Sequence, residues 1–206
     1  MVHGYHVIWG TYGFWLPNDP RGSWSEFVAS WELAKFGLTT RSPERRDLER
    51  KQWEAWRSAA GAALKFPAVH LNGLQARAVG TGFGAGVRKS GFTIWACSIL
   101  PQHIHMVIAR HKYKVEQICN LLKGEATKQL KSAALHPQAQ YQAEDGKFPS
   151  MWGEKQWKVF LEDDRAIETA IRYVAENPIK EHKAAQDWSF VTPFTRISKS
   201  AWTTYH

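Results

Sequence analysis

The chain has 206 residues, 44% hydrophobic and 22% charged, the size and balance of one globular domain rather than two. No apolar run approaches the roughly 18 residues that span a bilayer, and the opening Met-Val-His-Gly-Tyr-His lacks a basic stretch followed by an apolar core, so neither a membrane span nor a secretory leader is expected. The formal net charge of +8, from 27 Lys and Arg against 19 Asp and Glu, favours a polyanionic partner, and 11 Trp residues add aromatic faces of the kind that hold unpaired bases. Cys97 and Cys119 are too few and too isolated for a disulfide framework or a thiolate zinc site, which fits a reducing cytoplasm.

In chain order, the β-branched and aromatic run Tyr5 to Tyr12 predicts an opening strand. Leu16 to Ser23 is dense in turn formers and reads as a loop. Ser42 followed by Pro43 has the form of a helix start, and the helix is expected to run through about Leu64. Asn72 is a second candidate cap, for a helix to about Lys89, in spite of Gly80, Gly82, Gly84 and Gly86. These glycines fit neither a phosphate loop nor a dinucleotide fingerprint, and they are expected to allow close packing of this helix on a sheet. Phe92 to about Cys97 and His103 to about Ala109 predict an antiparallel strand pair. Lys114 to Lys131 is an amphipathic helix with Val115, Ile118, Leu122, Ala126 and Leu130 on one face. A polar loop from His136 to Pro149, a short strand Trp157 to Leu161 and a helix capped near Asp163 and running to about Glu176 follow. Pro178 is expected to end or kink that helix. From Asp187 the chain is a polar and aromatic tail.

This order predicts an α+β domain, a ferredoxin-like antiparallel sheet with helices packed on one face. The expected organisation is a single domain over 1-186, with an insertion at about 14-91, and a C-terminal tail over 187-206.

His103 and His105, in the apolar run from Trp95 to Ala109, are two apart. On a strand they share a face. Imidazoles set among Ile, Val and Met need partners, either hydrogen bonds at a sheet surface or a divalent metal. Tyr173 and Asn177, four residues apart, share one face of the last helix. A phenol with a pKa near 10 is a poor nucleophile at neutral pH and needs a polarised, positioned electrophile. Two imidazoles and one amide oxygen leave open positions on a divalent ion, where a scissile phosphate could sit before Tyr173.

The combination of Leu-Pro-Gln-His-Ile-His-Met-Val-Ile around His103 and His105, the helix Ile118 to Gly124, and Tyr173-Val-Ala-Glu-Asn-Pro178 resembles the single-tyrosine HUH transposases, in particular the REP-associated tyrosine transposase branch. The resemblance covers the opening strand and about Phe92 to Lys183. It implies the HUH endonuclease fold and a single-stranded DNA endonuclease and strand-transferase, a transposase acting in DNA recombination. It further implies Tyr173 as the nucleophile that forms a 5′-phosphotyrosine, with His103, His105 and Asn177 as ligands of Mg or Mn. The implied partner is single-stranded DNA with a hairpin, an inverted repeat or REP-like element. A monomer or homodimer acting in the cytoplasm at the nucleoid would follow. The stretch from about Phe14 to Gly91 is longer than compact family members need, which leaves the hairpin contacts there unassigned.

Candidate DNA contacts beyond this site are Arg21 and Trp24 in the first loop, Lys123 and Lys128 on the amphipathic helix, and Lys155 and Lys158 beside the late strand. One alternative function is a domesticated DNA hairpin-binding protein that keeps the scaffold without transposition. Another is a cupin-type His-x-His enzyme, whose β-barrel the long helices disfavour.

Overall fold

The structure is a computed structural model that describes residues 1–16 and 50–196, apart from a few side chains. Four strands, β1 (Gly4–Thr11), β2 (Ile94–Ile99), β3 (His103–Ala109) and β4 (Trp152–Leu161), form one antiparallel sheet in the order β2-β3-β1-β4. Four helices accompany them: α1 (Arg50–Ala62), α2 (Gly73–Ser90), α3 (Val115–Ser132) and α4 (Asp164–Lys180). From β1 through α2, β2, β3, α3 and β4 this is the expected ferredoxin-like arrangement. α2 is its first crossover helix, so that part of the stretch expected as an insertion belongs to the basic unit.

Each face of the sheet has its own helices. Val7, Trp9, Ile104, Met106 and Ile108 point to one side and bury against Phe83 of α2 and Ile118, Leu122 and Leu130 of α3. Val107 and Ala96 point to the other side and meet Ile167, Ala170 and Val174 of α4. The expectation of helices on one face therefore holds for α2 and α3, while α4 lies across the opposite face. The period-2 alternation of β3 makes both coverings possible, because every residue of its interior has a helix to meet.

Local signals explain most boundaries. Asn72 caps α2 with a reciprocal capping box: its side chain accepts from the Gln75 N–H at 2.9 Å and its own N–H donates to Gln75 Oε1 at 3.0 Å. Gly91 ends the helix in the left-handed conformation at φ 68°, which costs glycine little. Asp163 caps α4 by accepting from the Ala166 N–H at 2.7 Å. The start expected for α1 at Ser42 lies outside the described residues.

Three expectations change. β4 begins at Trp152, five residues earlier than expected, because an edge strand tolerates the charged Glu154 and Lys155 that weaken its pattern. α4 runs two residues past Pro178, and its last turn is closed by the Glu181 N–H donating to the carbonyls of Asn177 and Pro178 at 3.2 and 3.1 Å. Missing only one N–H, proline is tolerated where the helix is about to finish. The α2 glycines admit a helix and the tail rather than the sheet. A Cβ at Gly82 would lie 2.5 Å from Ala126 Cα, and one at Gly80 would lie 2.2 Å from the Trp188 ring.

The chain beyond α4 is built into the fold. Gln186 donates to the Ile99 carbonyl and accepts from its N–H, both at 2.8 Å, and Thr192 N–H donates to the Ile94 carbonyl at 2.7 Å. Trp188 and Phe190 then pack on the α2 side of the core.

Two glycines on facing helices should respond with opposite signs to alanine. Gly82→Ala forces two backbones apart, a strain of about 1–3 kcal/mol that outweighs the roughly 1 kcal/mol gained in helix propensity. Gly124→Ala, on exposed α3 surface with nothing within 4 Å, should stabilise by about 0.5–1 kcal/mol. Urea unfolding of the two variants measures both.

Candidate active site

β3 carries the site because its alternation sends Ile104 and Met106 into one core and His103 and His105 to the face under α4. The two imidazole centroids are 4.9 Å apart. His105 is buried, and its Nδ1 lies 3.2 Å from Nε2 of His6, a buried residue of β1. One nitrogen donates and the other accepts, so His6 and His105 fix each other's tautomers. In the tautomer where His105 Nδ1–H donates to His6, Nε2 of His105 keeps the lone pair that a metal would take.

Burial holds both rings neutral. Desolvation lowers the His105 pKa to about 2, helped by the neighbouring His103 and His6, and lowers that of His6 to about 4. A neutral imidazole is the form that binds a metal.

α4 lays a ladder of side chains over this pair. The Tyr173 ring is 5.6 Å from both the His6 and His105 rings, and Tyr173 is 44% exposed, so the phenol is within reach of a large substrate. Eight residues on, at the C-cap, Glu181 Oε1 is 3.7 Å from His103 Nε2. Asn177 is buried midway between them, one turn or ~6 Å of helix from each. Its side-chain nitrogen has no hydrogen-bond partner among the described residues. A buried amide without a partner is costly, and amide orientation in a side chain follows its ligands. The His103 and His105 imidazoles and this amide, through its oxygen, fit a divalent metal of oxygen and nitrogen preference. Among the described residues no group of three or more His, Cys, Asp or Glu forms a metal cluster.

Aromatic rings frame the site. Phe14 stacks on His103 with centroids 4.7 Å apart and Trp15 packs edge-on against Phe14 at 4.4 Å. Trp157 of β4 meets His6 edge-on at 6.0 Å. The Lys180 ammonium lies 5.1 Å from the Tyr173 ring centroid and pairs with Glu176 at 3.0 Å.

The structure sets the rings of His103, His105 and Tyr173 beside one another, and Asn177 is buried one helical turn from Tyr173. The candidate DNA contacts are not part of this cluster. Lys128 pairs with Glu125 at 2.7 Å and Lys158 with Glu116, both on α3, and Lys123 is buried with its ammonium on the Gly153 carbonyl at 2.9 Å. Arg21, Trp24 and the Lys155 side chain lie outside the described residues. His6, Phe14 and Glu181 were not evident from the sequence. For Glu181 the signal was the four-residue repeat from Tyr173 through Asn177. For His6 it was the alternation of β1, which puts His6 and Ile8 on the face opposite Val7 and Trp9.

The metal-free protein should lose stability as acid charges the buried imidazoles. Because both folded pKa values lie below the ordinary 6.5, the unfolded chain binds more protons from pH 6.5 down to about 4 for His6 and about 2 for His105. Stability is fully present above pH 6.5 and falls with decreasing pH by up to ~1.4 kcal/mol per unit for each ring. Urea midpoints at pH 7.5, 6 and 5 in a chelating buffer measure this, and His6→Asn should flatten the slope.

No family model matches the chain, and no curated protein sequence matches it. Among solved structures, it is similar to a REP-associated tyrosine transposase bound to a REP hairpin, at 12% identity and a TM-score of 0.47, over 91% of this chain and 74% of that one. It is also similar to a proposed transposase from Deinococcus radiodurans R1, at 11% identity and a TM-score of 0.38, over 90% of this chain and 94% of that one.

Proposed function

We propose that this protein is a transposase-type enzyme that cleaves and rejoins single-stranded DNA at or near hairpins, with Tyr173 as nucleophile. The observation that carries this reading is an accessible tyrosine set over a pair of strand imidazoles, that of His105 held neutral by burial, with a buried amide one turn along the same helix. The basic, Trp-rich composition and the motif resemblance support it.

His103, His105 and Asn177 would hold Mg or Mn. When bound there, the metal would supply Lewis-acid polarisation of a non-bridging phosphate oxygen. The chain's own residues do the rest. α4 is anchored through Ile167, Ala170 and Val174, so Tyr173 stands at a fixed distance above the histidine pair. The phenolic oxygen attacks phosphorus as its proton is lost, the bond from phosphorus to the departing 3′ oxygen breaks, and that oxygen takes up a proton. A 5′-phosphotyrosine and a free 3′-hydroxyl result. Attack by a 3′-hydroxyl reverses the step without ATP, because the phosphodiester energy is kept in the tyrosine link. His6 orients His105 through the ring-to-ring hydrogen bond.

Incubation with a labelled hairpin carrying single-stranded flanks, in Mn, should give a covalent protein–DNA band on a denaturing gel. Tyr173→Phe should abolish it, and His105→Ala should reduce it by about 10³-fold or more. Hairpin binding with no adduct across the repeats flanking its own gene would instead identify a domesticated hairpin-binding protein. His6→Phe, which removes the bond to His105, should weaken Mn affinity by about 10–100-fold in a calorimetric titration, with His6→Gln retaining part of it.

A further inference from the structure

Among the described candidate contacts, Lys123 is the one whose surroundings point to a ligand. It is 7% exposed, and its ammonium reaches only the Gly153 carbonyl; no carboxylate pairs with it among the described residues. A buried cation without an anion is expensive. Desolvation pulls its pKa below the ordinary lysine value, as expected of a charge that lacks its counter-ion.

This lysine lines a cavity of about 400 Å³ together with Tyr12, Lys65, Phe66, Trp152 and Glu154. That is within the range of small-ligand pockets, about 300–1,000 Å³. The walls are fixed. The Trp152 indole N–H donates to Thr127 Oγ1 at 3.0 Å and to the Lys123 carbonyl at 3.2 Å, and Tyr12 and Phe66 meet edge-on at 6.3 Å. Lys65 is exposed beside the mouth, its ammonium 5.4 Å from the Phe66 centroid. Glu154 adds an acceptor, the group that an exocyclic base amine needs and a phosphate does not.

The cavity is adjacent to the candidate active site without being part of it. Gly10 of β1 pairs with His103, and the next residue, Thr11, pairs with Trp152. The cavity opens on the α3 face, opposite α4, so a strand lying at His103 reaches it by rounding this end of the sheet.

We infer that this cavity takes one unpaired nucleotide of the DNA strand, its phosphate on Lys123 and Lys65 and its base against Tyr12 and Phe66. Cation and aromatic face together are the recurring means of holding single-stranded nucleic acid. The inference rests on the proposed action on single-stranded DNA and adds a binding subsite to it.

The test uses the full chain in a chelating buffer and fluorescence anisotropy with two probes, a blunt hairpin and the same hairpin with a single-stranded extension. Lys123→Met and Lys65→Met should each weaken binding of the extended probe by about 3–10-fold and lower its salt slope by about 0.7, leaving the blunt hairpin unaffected. Deoxynucleoside monophosphates should shift the amide resonances of Tyr12 and Gly153 in the wild type and not in Lys123→Met. Unchanged affinity and slope in the exposed Lys65→Met and in a folded Lys123→Met would overturn the subsite. Formation of the Tyr173 adduct is read separately on the wild type. Adduct without lysine-dependent binding overturns the subsite and leaves the cleavage reading standing, whereas lysine-dependent binding without adduct upholds the subsite and removes the cleavage reading.

Discussion

In the pairing of β1 with β3, His6 stands opposite Val107 and Ile8 opposite His105, and nearly every other feature of the site depends on that register. A slip of one residue would turn His103 and His105 into the core between the sheet and α2 and α3, and would turn Ile104, Met106 and Ile108 out beneath α4. Three fully buried aliphatic side chains against two imidazoles decide the matter, since each of the former contributes about 1.5–3 kcal/mol on burial and each of the latter would need a partner in an apolar layer. Hydrophobic patterning, rather than any interaction between the histidines, therefore puts both rings on one face.

That face is closed by α4, and the closure gives the histidines their chemistry. An imidazole at an open sheet surface would titrate near its ordinary pKa. Beneath α4, with His6 alongside, His105 cannot readily accept a proton and stays neutral across the physiological range. The helix that desolvates the pair also presents the nucleophile, so the exclusion of water and the positioning of Tyr173 come from one packing contact.

The opposite face carries a different economy of space. α2 and α3 approach closely because Gly82 puts no side chain between them, and Gly80 leaves room for Trp188 from beyond α4. That segment lies along β2, an edge strand whose outward backbone groups at Ile99 are satisfied by one glutamine amide. The sheet is thereby protected from pairing with another chain at this edge. It also connects the two faces, since the same stretch follows α4, seats Trp188 and Phe190 against the α2 layer and returns Phe194 to the α4 side.

The sequence by itself determined what depends on neighbours a few residues apart: the capping residues Asn72 and Asp163, the amphipathic stripe of α3, the alternation of β3, and the pairing of Tyr173 with Asn177 on one helix face. These signals are local, carried by backbone hydrogen bonds and by periods of 2 and 3.6 residues. His6, Phe14 and Glu181 join the site through contacts that span the chain, and a strand histidine or a loop phenylalanine looks the same in sequence whether or not a partner lies 90 residues away. The same reason hid the early start of β4, the continuation of α4 past Pro178 and the seat of Trp188 against Gly80. Which helix covers which face, and so which lysines are paired with carboxylates and which one is buried without an anion, only the tertiary structure decided, because burial and charge pairing are properties of surfaces brought together and not of any one segment.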